Sequence, residues 1–225
     1  MRRFKAYTIN EFKNYINNIQ VEREITHVQY HHTWRPTKNG FYMAKEKEKV
    51  IWSIWKYHTS VRFWQDIAQH FTISPDGMIW DGRSLELDPA GIKGHNKGGI
   101  MIEMIGNFDI GQEKLDNGQL YAATKAGAIL VEKFNLTTND IVFHNEFSNK
   151  TCPGSSINKD MFVGLIQNII DTELNKFDKT DGLKYLAKQG IIENPERWLK
   201  KLDEPIPIWA VTTILARIYK GVKNK

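Results

Sequence analysis

The residues able to do chemistry are few and far apart in the chain. Glu103 lies inside the run Ile100, Met101, Ile102, Met104 and Ile105. A carboxylate there is costly to bury unless it is paired or faces a cleft, and burial lifts its pKa toward the range that suits a general base. The alternative is that its side of the segment is partly wet. His31 and His144 each close an apolar stretch, and Cys152 follows His144 by eight positions, just ahead of Pro153-Gly154. Two imidazoles and a thiolate, brought together by neighbouring strands, are a donor set for zinc that leaves a fourth position open. A short helix opened by Pro153 would set its N-terminus against Cys152 and favour the thiolate. No compact zinc-finger spacing is present, so spacing alone leaves the metal open.

These residues can meet only if the strands that carry them lie side by side. Positions 25–31 alternate, with His27, Gln29 and His31 on one face and Val28 and Tyr30 on the other. Residues 100–105 read as a buried strand and 141–144 as a short one. Residues 69–74 and 78–80 read as a hairpin about Pro75-Asp76-Gly77. Helices are expected over 8–18, after the charged run 45–49, over 119–134 and over 160–177, with a turn at 36–40 and a loop at 91–99. Gly127 falls on the apolar face of the 119–134 helix, where the missing side chain lets a neighbour pack close. The fold class is therefore α/β, a central mixed β-sheet flanked by helices. Short helices over 182–189, from Asn194-Pro195 onward, and over 208–219 form a small C-terminal helical module. The boundary is set near 175, giving domains 1–175 and 176–225.

The 225 residues carry a net charge of +5, with 41% hydrophobic and 25% charged residues, a globular composition. The charge is uneven. Residues 1–174 hold 20 basic and 20 acidic side chains, and the last 51 hold 11 and 6. This basic appendix either faces an anionic partner or is a Lys-rich solvated surface. A single cysteine excludes an internal disulfide. The basic N-terminus lacks the apolar core of a signal peptide, and no apolar run approaches the ~18–20 residues of a membrane span. The expectation is a product made in the cytoplasm, with any export by another route.

Seven motifs in order carry a resemblance: His31-His32-Thr33-Trp34, 66–71 (Asp-Ile-Ala-Gln-His-Phe), Asp76-Gly77, Gly82-Arg83, Gly94-His95-Asn96, 103–109 (Glu-Met-Ile-Gly-Asn-Phe-Asp), and His144 followed by Lys150-Thr151-Cys152-Pro153-Gly154. Over about 24–170 the chain resembles the zinc-dependent N-acetylmuramoyl-L-alanine amidases of the phage-lysozyme and peptidoglycan-recognition-protein superfamily, in particular phage endolysins and prophage autolysins. The resemblance implies Zn2+ held by His31, His144 and Cys152, with Lys150 as a catalytic group. Some relatives use a tyrosine where this chain has Gln69, which cannot do that job. Others place a carboxylate on the middle strand, and Glu103 matches it. The implied reaction is hydrolysis of the amide between N-acetylmuramic acid and L-alanine, with Glu103 as general base and Lys150 stabilising the oxyanion. The resemblance further implies action on the cell wall after release by a phage-type lysis system. Competing readings are a recognition module that binds peptidoglycan without cutting it, and an intracellular amidase that recycles muropeptides.

Four other residues are candidates for substrate binding: Trp34 by stacking on a sugar, His95 and Asn96 from their glycine-flanked loop, and Arg83 through a stem-peptide carboxylate. Arg83 could instead brace its turn. His32 and His70 read as structural, and Trp55 and Trp64, like Trp34, either stack on a sugar or belong to the core. The expected partner is peptidoglycan, with anionic wall polymers reached through 176–225. Domain packing or dimerisation through Trp198, Trp209, Ile214 and Leu215 is the other option for the tail. Nothing resembles a nucleic-acid recognition element.

Overall fold

The computed structural model describes residues 3–174, 183, 186–199, 212, 213 and 216. The chain divides into two compact units, 1–170 and 171–225. Unit one is built on a six-stranded mixed sheet: β1 (Ala6–Tyr7), β2 (His27–His32), β3 (Phe71–Ile73), β4 (Ile79–Asp81), β5 (Gly99–Met104) and β6 (Ile141–Phe143). The order across the sheet is β1-β4-β3-β5-β2-β6. Strands β3, β5, β2 and β6 run parallel, and β4 and β1 add an antiparallel edge.

One face of the sheet is closed by α4 (Asn117–Lys133), whose Ala122, Ala123, Ala126 and Leu130 are buried. Tyr30 on β2 donates its hydroxyl to the Ala123 carbonyl at 2.8 Å. A Cβ at Gly127 would stand 2.2 Å from that hydroxyl, so the close approach requires glycine there. Helix α1 (Ile9–Asn18) packs on α4 and buries Phe12 and Ile16, with the Phe12 ring edge-on to Phe71 of β3. It starts at a capping box in which Thr8 and Glu11 exchange bonds. Helix α5 (Lys159–Ile169) also packs on α4. A second cluster joins Val50, Ile51 and Ile54 of α3 (Lys47–Ser60) to Phe41, Ile67, Trp80 and Ile105.

Three local features depart from the sequence reading. The expected turn at 36–40 is the start of a short helix, α2 (Lys38–Met43), because the Thr37 hydroxyl caps the Gly40 N–H. Strand β1, two residues long, is too short to show alternation. No helix opens at Pro153. Residues 153–158 form turns, and α5 begins at Lys159, where the Asn158 side chain accepts from the Met161 N–H at 2.8 Å.

In unit two the described residues include α6 (Pro195–Leu199), capped by Asn194, which accepts from the Arg197 N–H. Gly190 takes the left-handed φ of 66° expected after a helix end. Much of the basic tail, most of the expected 208–219 helix and three of the four candidate dimer residues (Trp209, Ile214, Leu215) lie outside the described residues. No helix among the described residues is long and apolar enough to cross a membrane.

Candidate active site and metal centre

Register sets the site. His31 on β2 pairs with Glu103 on β5, and Glu103 pairs with Thr72 on β3. Because β2 also pairs with β6 up to Tyr30–Phe143, His144 leaves the sheet beside His31. The imidazole centroids are 4.7 Å apart. The loop from His144 returns so that Cys152 Sγ lies 3.5 Å from His31 Nδ1, and its backbone is tied to the turn by Asn145 N–H donating to the Cys152 carbonyl. Ligand atoms of His31, His144 and Cys152 all lie within 4.8 Å of one another.

These donors fit zinc. Zn–N and Zn–S bonds at a tetrahedral angle put nitrogen and sulfur about 3.6 Å apart, close to the spacing of His31 Nδ1 and Cys152 Sγ. On its other side the His31 ring has Nε2 at 3.4 Å from Gln29 Oε1, an arrangement that keeps the proton on Nε2 and the lone pair on Nδ1. Burial drives the His31 pKa well down, and that of His144 down, so both rings are neutral and able to donate to a metal. The Cys152 thiol is pushed up to about 12 by burial. The expected helix N-terminus is not there to offset this. Local help comes from the His32 N–H, which donates to Sγ at 3.4 Å, and from the positive charge of Lys150. A divalent cation would supply the charge that the thiolate lacks.

Glu103 is 8% exposed, and its Oε2 has no hydrogen-bond partner among the described residues. Desolvation raises its pKa to about 7. It lines a cleft of about 530 Å³ together with His31, His144, Cys152, Lys150 and Trp34. The two proposed reactive groups therefore share a wall with the three candidate ligands.

The other candidates are placed differently. Arg83, His95 and Asn96 do not line this cleft. Arg83 donates to the carbonyls of Ile67, Asp88 and Asp66 and so braces its turn. His95 stacks on Phe147 with centroids 4.0 Å apart. Asn96 accepts from the N–H groups of Gly91 and Ile92. It thereby holds Gly91 against the site, where a Cβ would lie 2.6 Å from Gln29 Oε1 and 2.8 Å from His31 Nε2. His32 Nδ1 accepts from the Phe108 N–H, a structural role. His70 is wholly buried between Met101 N–H and the Leu87 carbonyl. Gln69 is buried too, donating to Thr72 Oγ1 at 2.9 Å. Trp64, weighed in the sequence as a sugar-stacking or core residue, lines the cleft, and so does His58, which sequence reasoning missed. His58 sits near the end of α3, and its Nδ1 accepts from the Ala68 N–H at 3.2 Å. No local sequence signal marks it, because only the tertiary fold brings that helix end to the cleft.

Residues 21–155 match the family model described as N-acetylmuramoyl-L-alanine amidase, and the chain belongs to that family. Among curated proteins it is similar to peptidoglycan-recognition protein SC2 of Drosophila melanogaster, 27% identical over 106 residues, which are 47% of this chain and 56% of the relative. The chain thus spans about half the length of that relative. Among solved structures it is similar to PGRP-SA of Apis mellifera, with 26% identity, TM-score 0.52, and coverage of 66% of this chain and 91% of that one. It shares its fold with the endolysin amidase LysCS of Clostridium intestinale URNW, with 24% identity, TM-score 0.53, and coverage of 68% and 86%.

Proposed function

We propose that this chain is a zinc-dependent N-acetylmuramoyl-L-alanine amidase that cleaves peptidoglycan between the muramoyl lactyl group and L-alanine. The observation that carries this reading is the meeting of His31, His144 and Cys152 in one cleft with Glu103, whose buried Oε2 has no hydrogen-bond partner among the described residues. His31, His144 and Cys152 would hold the ion. Zinc at such a site acidifies water toward pKa ~7 and polarises a carbonyl.

The chain's own groups do the rest. Glu103, with no competing hydrogen bond on Oε2, takes the proton from the attacking water. It returns that proton to the L-alanine nitrogen as the amide C–N bond breaks. Its buried position favours the transfer, since a carboxyl pKa near neutrality suits both acceptance and return. Lys150 reaches the cleft from the loop that carries Cys152 and offers an ammonium to the oxygen that gains negative charge. Gln69, buried and bonded to Thr72, has no part in the chemistry.

The basic segment 176–225 is proposed to hold anionic wall polymers, and the protein to act on the wall after release by a lysis system. Similarity to recognition proteins keeps one rival in view, a module that binds peptidoglycan without cutting it. Zinc analysis of purified protein, followed by assay for new L-alanine amino termini on cell walls, separates the two. Cleavage of soluble muropeptides in preference to walls would instead favour a recycling enzyme.

A further inference from the structure

Loop 91–99 supplies none of the three candidate ligands, yet His95 reaches the supports of two of them. The first support is Gln29, two positions before His31 on the same face of β2. Its amide nitrogen donates to the His95 carbonyl at 2.6 Å, and His27 Nε2 lies 3.0 Å from the same nitrogen. A carbonyl can only accept, so the amide nitrogen must face it, and the amide oxygen is left toward His31 Nε2, 3.4 Å away. Turned over, the amide would set its oxygen against the His95 oxygen and its N–H groups against the His31 N–H, and both bonds would be lost. The loop packs on both ends of this amide: a Cβ would stand 2.6 Å from Oε1 at Gly91 and 2.7 Å from Nε2 at Gly99.

The second support is Phe147. Its N–H donates to the His144 carbonyl at 3.2 Å, closing the single turn that begins at the second ligand. The exposed His95 ring lies against the Phe147 ring with centroids 4.0 Å apart. The His95 imidazole makes no hydrogen bond among the described residues, so this ring contact is what its side chain contributes. The loop is itself tied down. His95 N–H donates to the Ile92 carbonyl at 2.9 Å, Gly99 N–H to the Asn96 carbonyl at 3.0 Å, and Thr26 N–H, just before β2, to the Gly98 carbonyl at 2.9 Å.

We infer that His95 is a positioning residue for the metal centre, a strap whose carbonyl fixes the His31 ring through Gln29 and whose imidazole fixes the His144 turn through Phe147. The inference rests on the zinc reading of His31, His144 and Cys152. The pairing of β2 with β6 stops at Tyr30–Phe143, one residue short of both histidine ligands, and the strap joins their segments beyond that point. The glycine-flanked loop thereby acts at the metal, in place of the substrate contact expected from its sequence.

Zinc affinity of the full-length protein, measured by competition with a chelating dye, is the readout, and it needs no hydrolysis. His95→Ala keeps the carbonyl and removes the ring, and should weaken zinc binding about tenfold. Phe147→Ala should do the same, and the double variant should be no weaker than either single one, since all three lose the same contact. His95→Phe, which keeps a ring against Phe147, should stay close to wild type. Gln29→Leu, which removes the amide, should weaken zinc binding about 10–100-fold. Circular dichroism checks the fold of each variant. Unchanged affinity in both His95→Ala and Phe147→Ala overturns the strap, and so do losses that multiply in the double variant. A raised KM for N-acetylmuramoyl-tetrapeptide in His95→Ala at saturating zinc, with zinc affinity unchanged, also overturns it and returns His95 to substrate contact. Wild type that binds no zinc removes the metal reading and the strap with it. Zinc binding that depends on His95, with no muropeptide cleaved, leaves the strap standing and removes the amidase reading instead.

Discussion

Glu103 and His31 face each other in register on neighbouring parallel strands, so the proposed base and the first candidate ligand are fixed by the same ladder. One strand supplies a buried imidazole with its lone pair toward Cys152, and the next supplies a carboxylate with an open oxygen.

Glu103→Gln should keep the site's shape and remove the proton acceptor. Turnover should fall by about 10²–10⁴-fold with zinc content unchanged. In wild type, activity should decline on the acid side as Glu103 protonates. The midpoint should lie at or below about 7, since burial sets that value in the metal-free protein and a nearby cation lowers it. Steady-state rates across pH, with zinc measured in each variant, check both points.

Zinc uptake should release a proton. The Cys152 thiol, pushed up to about 12 by burial, is protonated in the metal-free protein at neutral pH and must ionise to bind the ion. Calorimetry of zinc binding in buffers of different ionisation enthalpy should report about one proton released near pH 8. Cys152→Ser should abolish that release and bind zinc much more weakly.

Gly91→Ala should act through His31. The added Cβ would meet Gln29 Oε1, His31 Nε2 and Met101 Sδ at under 3 Å, disturbing the group that orients the ring. Zinc affinity is expected to drop about 10–100-fold, as for other losses of support around a ligand. A competition titration with a chelating dye measures it, and circular dichroism checks the fold.

Buried histidines make stability fall with acid. His70, wholly buried, has a pKa lowered to about 3 by desolvation, against ~6.5 in an unfolded chain. Between those values the unfolded state binds a proton that the folded state does not. Stability is then complete above ~6.5 and falls by up to ~1.4 kcal/mol per pH unit below it, until the folded ring itself protonates near 3. His58, lowered to about 4, acts in the same direction. Urea unfolding of the metal-free protein at several pH values tests the slope.

The charge of the tail predicts salt dependence. Replacing Lys200, Lys201, Lys220 and Lys223 with Gln should weaken binding to intact walls at low salt and flatten its decline as salt rises. Cleavage of a small soluble muropeptide should change little. Pull-down with purified walls over a salt series is the check.

Much of this was legible in the sequence for physical reasons. Alternation at 25–31 put His31 and Gln29 on one face, and the apolar run around Glu103 identified a buried strand with one exceptional residue. What was not legible depends on tertiary approach. Gly91 gives no sign in the sequence that it lies against Gln29 and His31. Asn96, a candidate contact by its glycine-flanked loop, spends its side-chain oxygen on two backbone N–H groups. Arg83 is spent likewise on carbonyls, because a guanidinium near a turn can satisfy several at once. The helix expected at Pro153 did not form, since proline fits the first turn of a helix but the capping residue, Asn158, comes five positions later.

The most direct test incubates zinc-loaded, full-length protein with purified peptidoglycan and identifies newly exposed amino termini chemically. The account predicts that L-alanine termini accumulate with wild type and stay at background with Cys152→Ser. A folded protein carrying one zinc per chain that exposes no L-alanine termini would contradict it.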